Sequence, residues 1–580
     1  MDELKIPRGL ENKILFSTKS NGLQVASKII KSRVLSYNGH VDVQCNFLDD
    51  WADDPIKNRT WVWWYNSLEF VIHLVALFRE KQEIEILKIA AQYSLNWWRF
   101  FLRNNKNDFE FFFHDQSIAR RAEHVAVLYV TLQVEVPDFL ELDELRQFIH
   151  HQTLLLVDDK YYSKYTNHGI DQVVALKNMA LIFNQDQQAS AWLRLSISRL
   201  KDEFEFAFLG DGVNVENSPG YHYRMIVIFF SEFRKENLEI IKNAIRSKKD
   251  IDTDDFLLKV DQAAKLFFDR LPKMLSFLTH ITQPNGYYPL LGDTVSMQSK
   301  VPALSGEIRD TIEYKNLLYT CTNSSEGVEP TNKSFIFEKA GYASIRDEWK
   351  DFENAFHLIF RAGYKSRYHR HDDDGQILLM YGGEHWLVDG GLYKYKESDP
   401  DRLYIRSKWA HNVPVISFET GKPYTRLIEP DKSGFRKYNI DENGIVRVDA
   451  GMMGYRNYTA TRHLLCNPFK KRFFVRDRLV SLQEGPVRQT YSHFHFPIDK
   501  NIEITDDGVV VSSTQNDEKL LIRVMKGDQP TSVSLVKGLP HDENQNAFMS
   551  KKVGEKIPVH KLRFEWLTKN LDTRIEFVFI

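Results

Sequence analysis

The spacing of apolar residues predicts helices in the first part of the chain. Residues 61–80 and 84–104 (WVWWYNSLEFVIHLVALFRE and IEILKIAAQYSLNWWRFFLRN) repeat apolar side chains every three or four positions, as amphipathic helices do. Similar patterns recur near 117–134, 139–156, 170–183, 187–208, 221–246 and 255–280. Such a series, separated by short polar loops, predicts an array of helical hairpins.

From about residue 335 the apolar period changes to two. Runs such as GQILLMYGG, RFFVRD and RIEFVFI are short and rich in β-branched and aromatic residues. They are separated by turn pairs such as Asn443-Gly444 and Asp507-Gly508. This pattern predicts a large antiparallel β region.

Glycine usage supports the same division. Residues 1–330 contain 11 glycines and the shorter remainder, 331–580, contains 17, and glycine favours turns over helices. The stretch 321–334 is polar and turn-rich without periodicity. We therefore predict a helical domain at 1–325 and an antiparallel β domain at 335–580.

Composition and charge exclude several classes of protein. The chain of 580 residues is 43% hydrophobic and 27% charged, which excludes wholesale disorder. A formal net charge of −2 provides no global attraction for nucleic acid or an anionic membrane, so we expect neither as a partner. The longest apolar runs, at 71–78 and 225–230, are much shorter than the roughly 18 residues of a membrane span.

Cysteine usage and the first residues bear on stability and location. Cys45, Cys321 and Cys466 are far apart without CxxC spacing, so neither a disulfide framework nor a Cys-type zinc site is expected. The opening MDELKIPRGLENK is acidic where a signal peptide would be basic and then apolar. The sequence as given therefore predicts a cytoplasmic location, or a periplasmic one if a leader has been removed.

Two polar clusters fall at predicted helix starts. Asn167 precedes a helical pattern as a candidate cap and places His168 in the first turn; the alternative is a cap beside an incidental histidine. Farther on, Ser218 fits an N-cap with Pro219 as the first helical residue. Tyr221 then lies in the first turn, where the helix dipole should ease phenol ionisation. The alternative is an aromatic residue that packs the helix start.

A third cluster, YHRHDDDG at 368–375, precedes a strand-like run. In extended backbone His369 and His371 would point to one face. Asp389 and His411 lie downstream. His371 and His411 could supply two nitrogen ligands and Asp389 one oxygen ligand, a set that suits zinc. The alternative is a solvated, charged turn.

A fourth cluster, GYRNYTATRHLL, lies within the predicted β domain. Tyr458 and Arg462 could face an acidic substrate from strands there. A polar outer face of a sheet would look the same.

The order and spacing of Asn-His, Ser-Pro-Gly-Tyr-His and His-x-His-x-Asp resemble those of the heparinase II/III-like polysaccharide lyases and the related oligoalginate lyases. The likeness is clearest from about 160 to 480. It implies an α+β multidomain fold, with an N-terminal incomplete α/α toroid followed by a C-terminal antiparallel β-sandwich.

The resemblance also implies roles for individual residues. Asn167 and His369 would meet the substrate carboxylate, Tyr221 would be the acid and in some arrangements also the base, and His168 a second base. His371, Asp389 and His411 would hold a structural divalent metal, with zinc the expected ion. The segment DQSIARR resembles an early arginine-bearing helix, so Arg120 or Arg121 is expected to bind substrate.

The implied function is cleavage of an acidic polysaccharide or oligosaccharide that contains uronic acid, by β-elimination, which leaves a 4,5-unsaturated uronate end. The C5 proton is weakly acidic until the neighbouring carboxylate is neutralised, which explains the need for amide and imidazole donors. Two other functions stay open. A toroidal glycoside hydrolase would use paired carboxylates such as Asp211 and Glu216; a catalytically silent relative would bind acidic polysaccharide or act in capsule assembly.

Overall fold

The computed structural model describes residues 6–37, 41–105, 109–247, 252–417, 433–455, 457–538 and 546–580. Every candidate site residue named above lies within these ranges. Within them, no helix is both long and apolar enough to span a bilayer.

Helices dominate the first 321 residues, where the apolar period is three to four. They are α1 Arg8–Lys19, α2 Gly22–Ser32, α3 Arg59–Asn66, α4 Glu69–Lys81, α5 Ile84–Asn104, α6 Asp115–Glu135, α7 Leu142–Val157, α8 Asn167–Ile182, α9 Ala189–Ala207, α10 Pro219–Phe233, α11 Lys235–Arg246, α12 Thr253–Ile281 and α13 Ile312–Cys321, with α14 Pro400–Arg406 farther on.

Strands dominate from Ser334, where the period is two. After the short pair β1 Val34–Tyr37 and β2 Val41–Gln44, they are β3 Ser334–Phe337, β4 Tyr342–Arg346, β5 His357–Arg361, β6 Gln376–Tyr381, β7 Glu384–Leu387, β8 Pro414–Ile416, β9 Gly434–Ile440, β10 Val446–Met452, β11 Tyr458–Asn467, β12 Arg472–Ser481, β13 Arg488–Pro497, β14 Asn501–Thr505, β15 Gly508–Ser512, β16 Lys519–Gly527, β17 Ser532–Lys537, β18 Phe548–Met549, β19 Ile557–Thr568 and β20 Leu571–Phe579.

The C-terminal strands form antiparallel sheets. One has the order β14-β15-β16-β20-β12-β11-β10-β9, a second β17-β19-β13-β8 with β18 beside β19, and a third β3-β4-β5-β6-β7. Helices followed by antiparallel sheets confirm the predicted α+β class. The predicted turn pair Asp507-Gly508 connects β14 to β15, where Thr505 pairs with Gly508.

The chain divides into two compact units, each with its own core. Unit 1 comprises residues 1–206 and 231–266, and unit 2 comprises 207–230 and 267–580. Apolar helix faces build the core of unit 1, and the inward side chains of the sheets build the core of unit 2. Because the division falls within α9, α10 and α12, it does not follow the change in apolar period.

Candidate active site

The first turn of α10 presents Tyr221. Pro219 is the first helical residue, and Ser218 Oγ accepts the N–H of Tyr221 at 3.4 Å. The carbonyl of Ser218 accepts the N–H of His222 at 3.0 Å. The cap that the Ser-Pro-Gly sequence predicts is therefore confirmed.

Tyr221 lies at a cavity of about 430 Å³ within unit 2. Its ring stacks on that of His369, with centroids 3.7 Å apart and planes 21° apart. Its hydroxyl is 3.5 Å from that of Tyr395, which also lines the cavity. Tyr221 thus carries a hydroxyl group into a space large enough for a sugar ring.

The pKa of Tyr221 is raised, and the expectation that the helix start would ease its ionisation is wrong. Burial is the main cause, and the neighbouring Tyr395, Glu216 and Asp293 add to it. Each of these disfavours a phenolate. At neutral pH Tyr221 is therefore a neutral phenol that carries its proton.

His369 lies between two carboxylates. Its Nδ1 is 3.2 Å from Asp293 and its Nε2 is 3.2 Å from Glu216. Burial alone lowers the pKa of His369, but the two carboxylates outweigh it and raise the value to about 9. His369 is therefore an imidazolium at neutral pH, stacked on Tyr221.

Asp293 connects this imidazolium to the residues behind it. One of its oxygens is 2.9 Å from Nε2 of His371, and Arg402 donates to both oxygens at 2.5 and 2.8 Å. These hydrogen bonds hold the pKa of Asp293 well below its usual range, despite the opposing effect of burial. The sequence analysis missed Asp293, Arg402 and the role of Glu216.

The backbone at His369 is not extended, unlike the backbone for which the two histidines were expected to share a face. His369 has φ of +53° and Asn217 has φ of +59°, so both adopt the left-handed conformation. The amide of Asn217 donates to the carbonyls of Ser366 and Tyr368, both at 3.0 Å. The two histidines still meet one partner, Asp293, but through a turn.

Gly292 allows the two left-handed segments to come together. Its φ is +55°, and a Cβ there would lie 2.5 Å from the carbonyl oxygen of Asn217 and 2.6 Å from that of His369. Only a residue without a side chain fits between them.

His371, His411, Asp389 and Asp373 form a buried cluster behind Asp293. The His371 and His411 rings are 5.4 Å apart, and Nδ1 of His411 is 2.5 Å from Asp389. Four buried atoms lack a hydrogen-bond partner: Nδ1 of His371, Nε2 of His411 and one oxygen each of Asp373 and Asp389.

The types of these side chains fit a metal site, because imidazoles and carboxylates are common ligands of zinc. Buried polar atoms without a hydrogen-bond partner are also unusual in a folded protein, and a bound ion would satisfy them. As the side chains stand, however, no group of three or more His, Cys, Asp or Glu in the described residues is arranged to hold an ion.

In unit 1, the start of α8 differs from the prediction. Thr166 is the cap, since its side chain accepts the N–H of Gly169 at 3.0 Å, and Asn167 is the first helical residue, with a half-buried side chain. His168 lies in the first turn as expected, and its Nδ1 is 3.1 Å from each oxygen of Asp115.

A buried carboxyl group supports the loop before α8. Glu203 accepts the N–H of Tyr165 at 2.9 Å and the hydroxyl of Tyr162. Burial raises the pKa of Glu203 to about 7, although both hydrogen bonds oppose the shift.

Three of the predicted substrate-binding residues are engaged with the protein. Arg121 is fully buried and donates to Gln152 and to the carbonyls of Asn66, Phe111 and Phe112. Arg462, also fully buried, pairs with Asp477 at 2.6 and 2.7 Å. Tyr458 packs against the β core. The structure gives the two arginines a structural role, because none of their donors reaches solvent; Tyr458 is only partly buried.

Two further arginines, Arg120 and Arg224, have exposed side-chain surface. Arg120 pairs with Glu69 at 2.7 Å and is a quarter exposed. Arg224, which the sequence analysis missed, is exposed and lines the Tyr221 cavity. Its position three residues after Tyr221 was the available signal, since residues so spaced share a helix face.

A helical region followed by antiparallel sheets, with Tyr221 and His369 in contact, agrees with what the resemblance of the motifs implied. The sequence profile described as "Heparinase II/III N-terminus" matches residues 19–314, and "Heparinase II/III-like, C-terminal" matches residues 329–561. The chain belongs to the heparinase II/III-like family.

Individual relatives agree with this assignment. A heparin-sulfate lyase from Bacteroides stercoris is 22% identical over 340 residues, 57% of this chain and 46% of the relative. One from Pedobacter heparinus is 22% identical over 386 residues, 63% and 53% of the two chains. The chain thus spans about half the length of the relatives it matches.

Solved structures show the same fold. A crystal structure of heparinase III superposes with a TM-score of 0.70 at 16% identity, covering 97% of this chain and 85% of that one. Heparan sulfate lyase HepC from Pedobacter heparinus superposes with a TM-score of 0.62 at 16% identity, covering 98% and 87%.

Proposed function

We propose that this protein is a polysaccharide lyase that cleaves uronate-containing polysaccharide or oligosaccharide by β-elimination. The observation that carries the proposal is the stack of Tyr221 on the His369 imidazolium at a cavity wide enough for a sugar. Relatives named heparin-sulfate lyase support a sulfated, uronate-containing glycosaminoglycan as the substrate class.

The chemistry requires three tasks. The charge of the uronate carboxylate is offset, a base takes the C5 proton, and an acid protonates O4 as the C4–O4 bond breaks. The electron pair of the C5–H bond becomes the C4–C5 double bond, and no nucleophile of the protein attacks the sugar.

Tyr221 suits the acid. Its raised pKa keeps the phenol protonated at neutral pH, and its hydroxyl faces the cavity. His369 places a positive charge beside the phenol, which stabilises the phenolate that forms when the proton leaves. Both nitrogens of His369 already face protein carboxylates. We therefore assign His369 this electrostatic role rather than direct contact with the substrate.

Two further groups follow from the family resemblance. Asn167 would offer its amide to the uronate carboxylate, and His168 would act as the base. Arg224 supplies a guanidinium on the cavity wall, where it would bind a carboxylate or sulfate of the sugar chain.

The proposal includes a structural divalent ion, with zinc favoured by the donor set. His371, Asp389 and His411 would hold it, and the unpartnered atoms of these residues support the assignment. The ion would satisfy their buried charges and fix the chain that carries His369.

A polysaccharide-binding protein without activity is the second candidate. The observation that favours it is that Glu216 and Asp293 occupy both nitrogens of His369. The glycoside hydrolase alternative has less support, because neither Asp211 nor Glu216 lines the Tyr221 cavity and Asp211 accepts the N–H of Ala340 at 3.0 Å.

The deciding experiment measures ultraviolet absorbance of unsaturated uronate ends across a panel of acidic polysaccharides, each with its carboxyl-reduced counterpart. We expect absorbance from at least one native polymer and none from its reduced form, because without the carboxylate the C5 proton is too weakly acidic. Saturated new ends from both forms would establish a hydrolase, and binding without cleavage would establish the second candidate.

A further inference from the structure

Asp115, the first residue of α6, holds His168 in one orientation. Nδ1 of His168 lies 3.1 Å from each carboxylate oxygen. Burial opposes ionisation of Asp115, but hydrogen bonds from His168 and Ser163 lower its pKa below its usual range. Asp115 is therefore a carboxylate at neutral pH, and an acceptor only.

An acceptor on one ring nitrogen decides which tautomer is present. Against a carboxylate, Nδ1 of a neutral imidazole must carry the proton, since a lone pair there would face negative charge. Nε2 then keeps its lone pair, and within the described residues nothing hydrogen-bonds to it. The His168 side chain is 34% exposed, so this nitrogen has access to solvent.

The surroundings of Asp115 favour this pairing. Nδ1 of His114 is 3.2 Å from Asp115, but burial lowers the pKa of His114 to about 4, so it is neutral and does not compete as a cation. Ser163 donates its hydroxyl to the other oxygen. The carboxylate is thus oriented by Ser163 and the backbone N–H of Gln116, at 2.6 Å.

We propose that Asp115 is a positioning residue that fixes His168 as a base through Nε2. The inference rests on the proposed lyase function. His168 Nε2 takes the C5 proton, the C5–H electron pair forms the C4–C5 double bond, and the O4 that leaves C4 with its bonding pair is protonated by a separate acid. The imidazolium so formed stays paired with the Asp115 carboxylate, which stabilises it.

This assignment specifies the substrate further. A base separate from the acid is needed where the C5 proton and the departing O4 lie on opposite faces of the sugar ring. The substrates of this site therefore include uronates of that C5 configuration.

The test compares Asp115→Asn with Asp143→Asn, the matched control. Asp143 is an exposed acid in the first turn of α7, and Asp115 is a half-buried acid in the first turn of α6. We expect Asp115→Asn to lower kcat roughly 10²- to 10⁴-fold, the range of a general base, with KM within a few-fold. Asp143→Asn should stay within twofold of wild type.

A spectroscopic measurement on the wild-type protein keeps the test independent of folding. The ¹⁵N shifts of His168, assigned with His168→Gln, should show the neutral ring protonated on Nδ1. A ring protonated on Nε2, or an Asp115→Asn variant with wild-type kcat, would overturn the role of Asp115. Absence of lyase activity in wild type on every uronate would instead contradict the proposed function, while the tautomer would still be measured.

Discussion

The ring of Tyr221 lies on the ring of His369 at 3.7 Å, although 148 positions separate them in the sequence. The stack depends on the aromatic face of Tyr221, and the proposed proton transfer depends on its hydroxyl, so one substitution separates the two.

Replacing Tyr221 with Phe should remove turnover and leave the fold unchanged. The variant keeps the stacked ring and deletes only the hydroxyl, whose role as a general acid should be worth roughly 10²- to 10⁴-fold in kcat. Initial rates of unsaturated uronate formation and thermal unfolding measure the two effects. Tyr395→Phe is the control for loss of a cavity hydroxyl, and a Tyr221→Phe variant with most of its activity would exclude the residue from proton transfer.

Replacing Arg224 with Ala should weaken substrate binding more than it slows the chemistry. A charge-assisted hydrogen bond contributes about 1.5–3 kcal/mol, so we expect KM to rise roughly tenfold or more. Arg224→Lys should recover part of the affinity. Arg436→Ala removes an exposed arginine of β9, outside the cavity residues, and should leave KM unchanged; an equal effect of both alanine variants would point to net charge instead.

Metal removal should lower stability together with activity. An ion bound by the folded state alone stabilises that state, so a chelator should lower Tm, and zinc should restore it. His411→Gln should abolish the metal content measured by elemental analysis. His463→Gln should not, since His463 pairs with Asp449 at 2.6 Å on a sheet strand. Active, freshly purified protein without any bound metal would contradict the assignment.

Replacing Glu203 with Gln should stabilise the protein at neutral and higher pH. The folded-state pKa of Glu203 is raised to about 7 above an unfolded value of about 4.3, so the folded state binds the proton more tightly. The contribution of Glu203 to the free energy of unfolding is fully present below pH 4 and is lost as pH rises through 7, a change of roughly 4 kcal/mol. Unfolding from pH 4 to 8 should therefore show a smaller loss of stability for Glu203→Gln than for wild type. Parallel curves would show that Glu203 titrates normally.

Local features of the site could be predicted from the sequence because their causes are local. Ser218 and Pro219 define a helix start through contacts within four residues, and the apolar period distinguishes helices from strands. The resemblance of the motifs implied that Tyr221 and His369 belong to one site, and their rings do stack.

Features that depend on distant contacts could not be predicted. Asp293 meets His369, 76 positions away, and Arg402, 109 positions away, and no pattern near LLGDTVS signals either. Likewise, the sequence near Arg121 does not indicate that this residue donates to the carbonyl of Phe111. The sequence near Arg462 does not indicate its pairing with Asp477. Whether an arginine is buried or free depends on the tertiary contacts around it.

Gly292 provides a way to recognise inactive relatives. It has no side chain to contribute to a reaction, yet any side chain there would push apart the segments that carry Asn217 and His369. Consider a homologue that keeps the equivalents of Tyr221, His168 and His369 but has a larger residue at the position of Gly292. Such a homologue should bind polysaccharide without cutting it. Inspection of catalytic residues alone would misclassify such a protein as an enzyme.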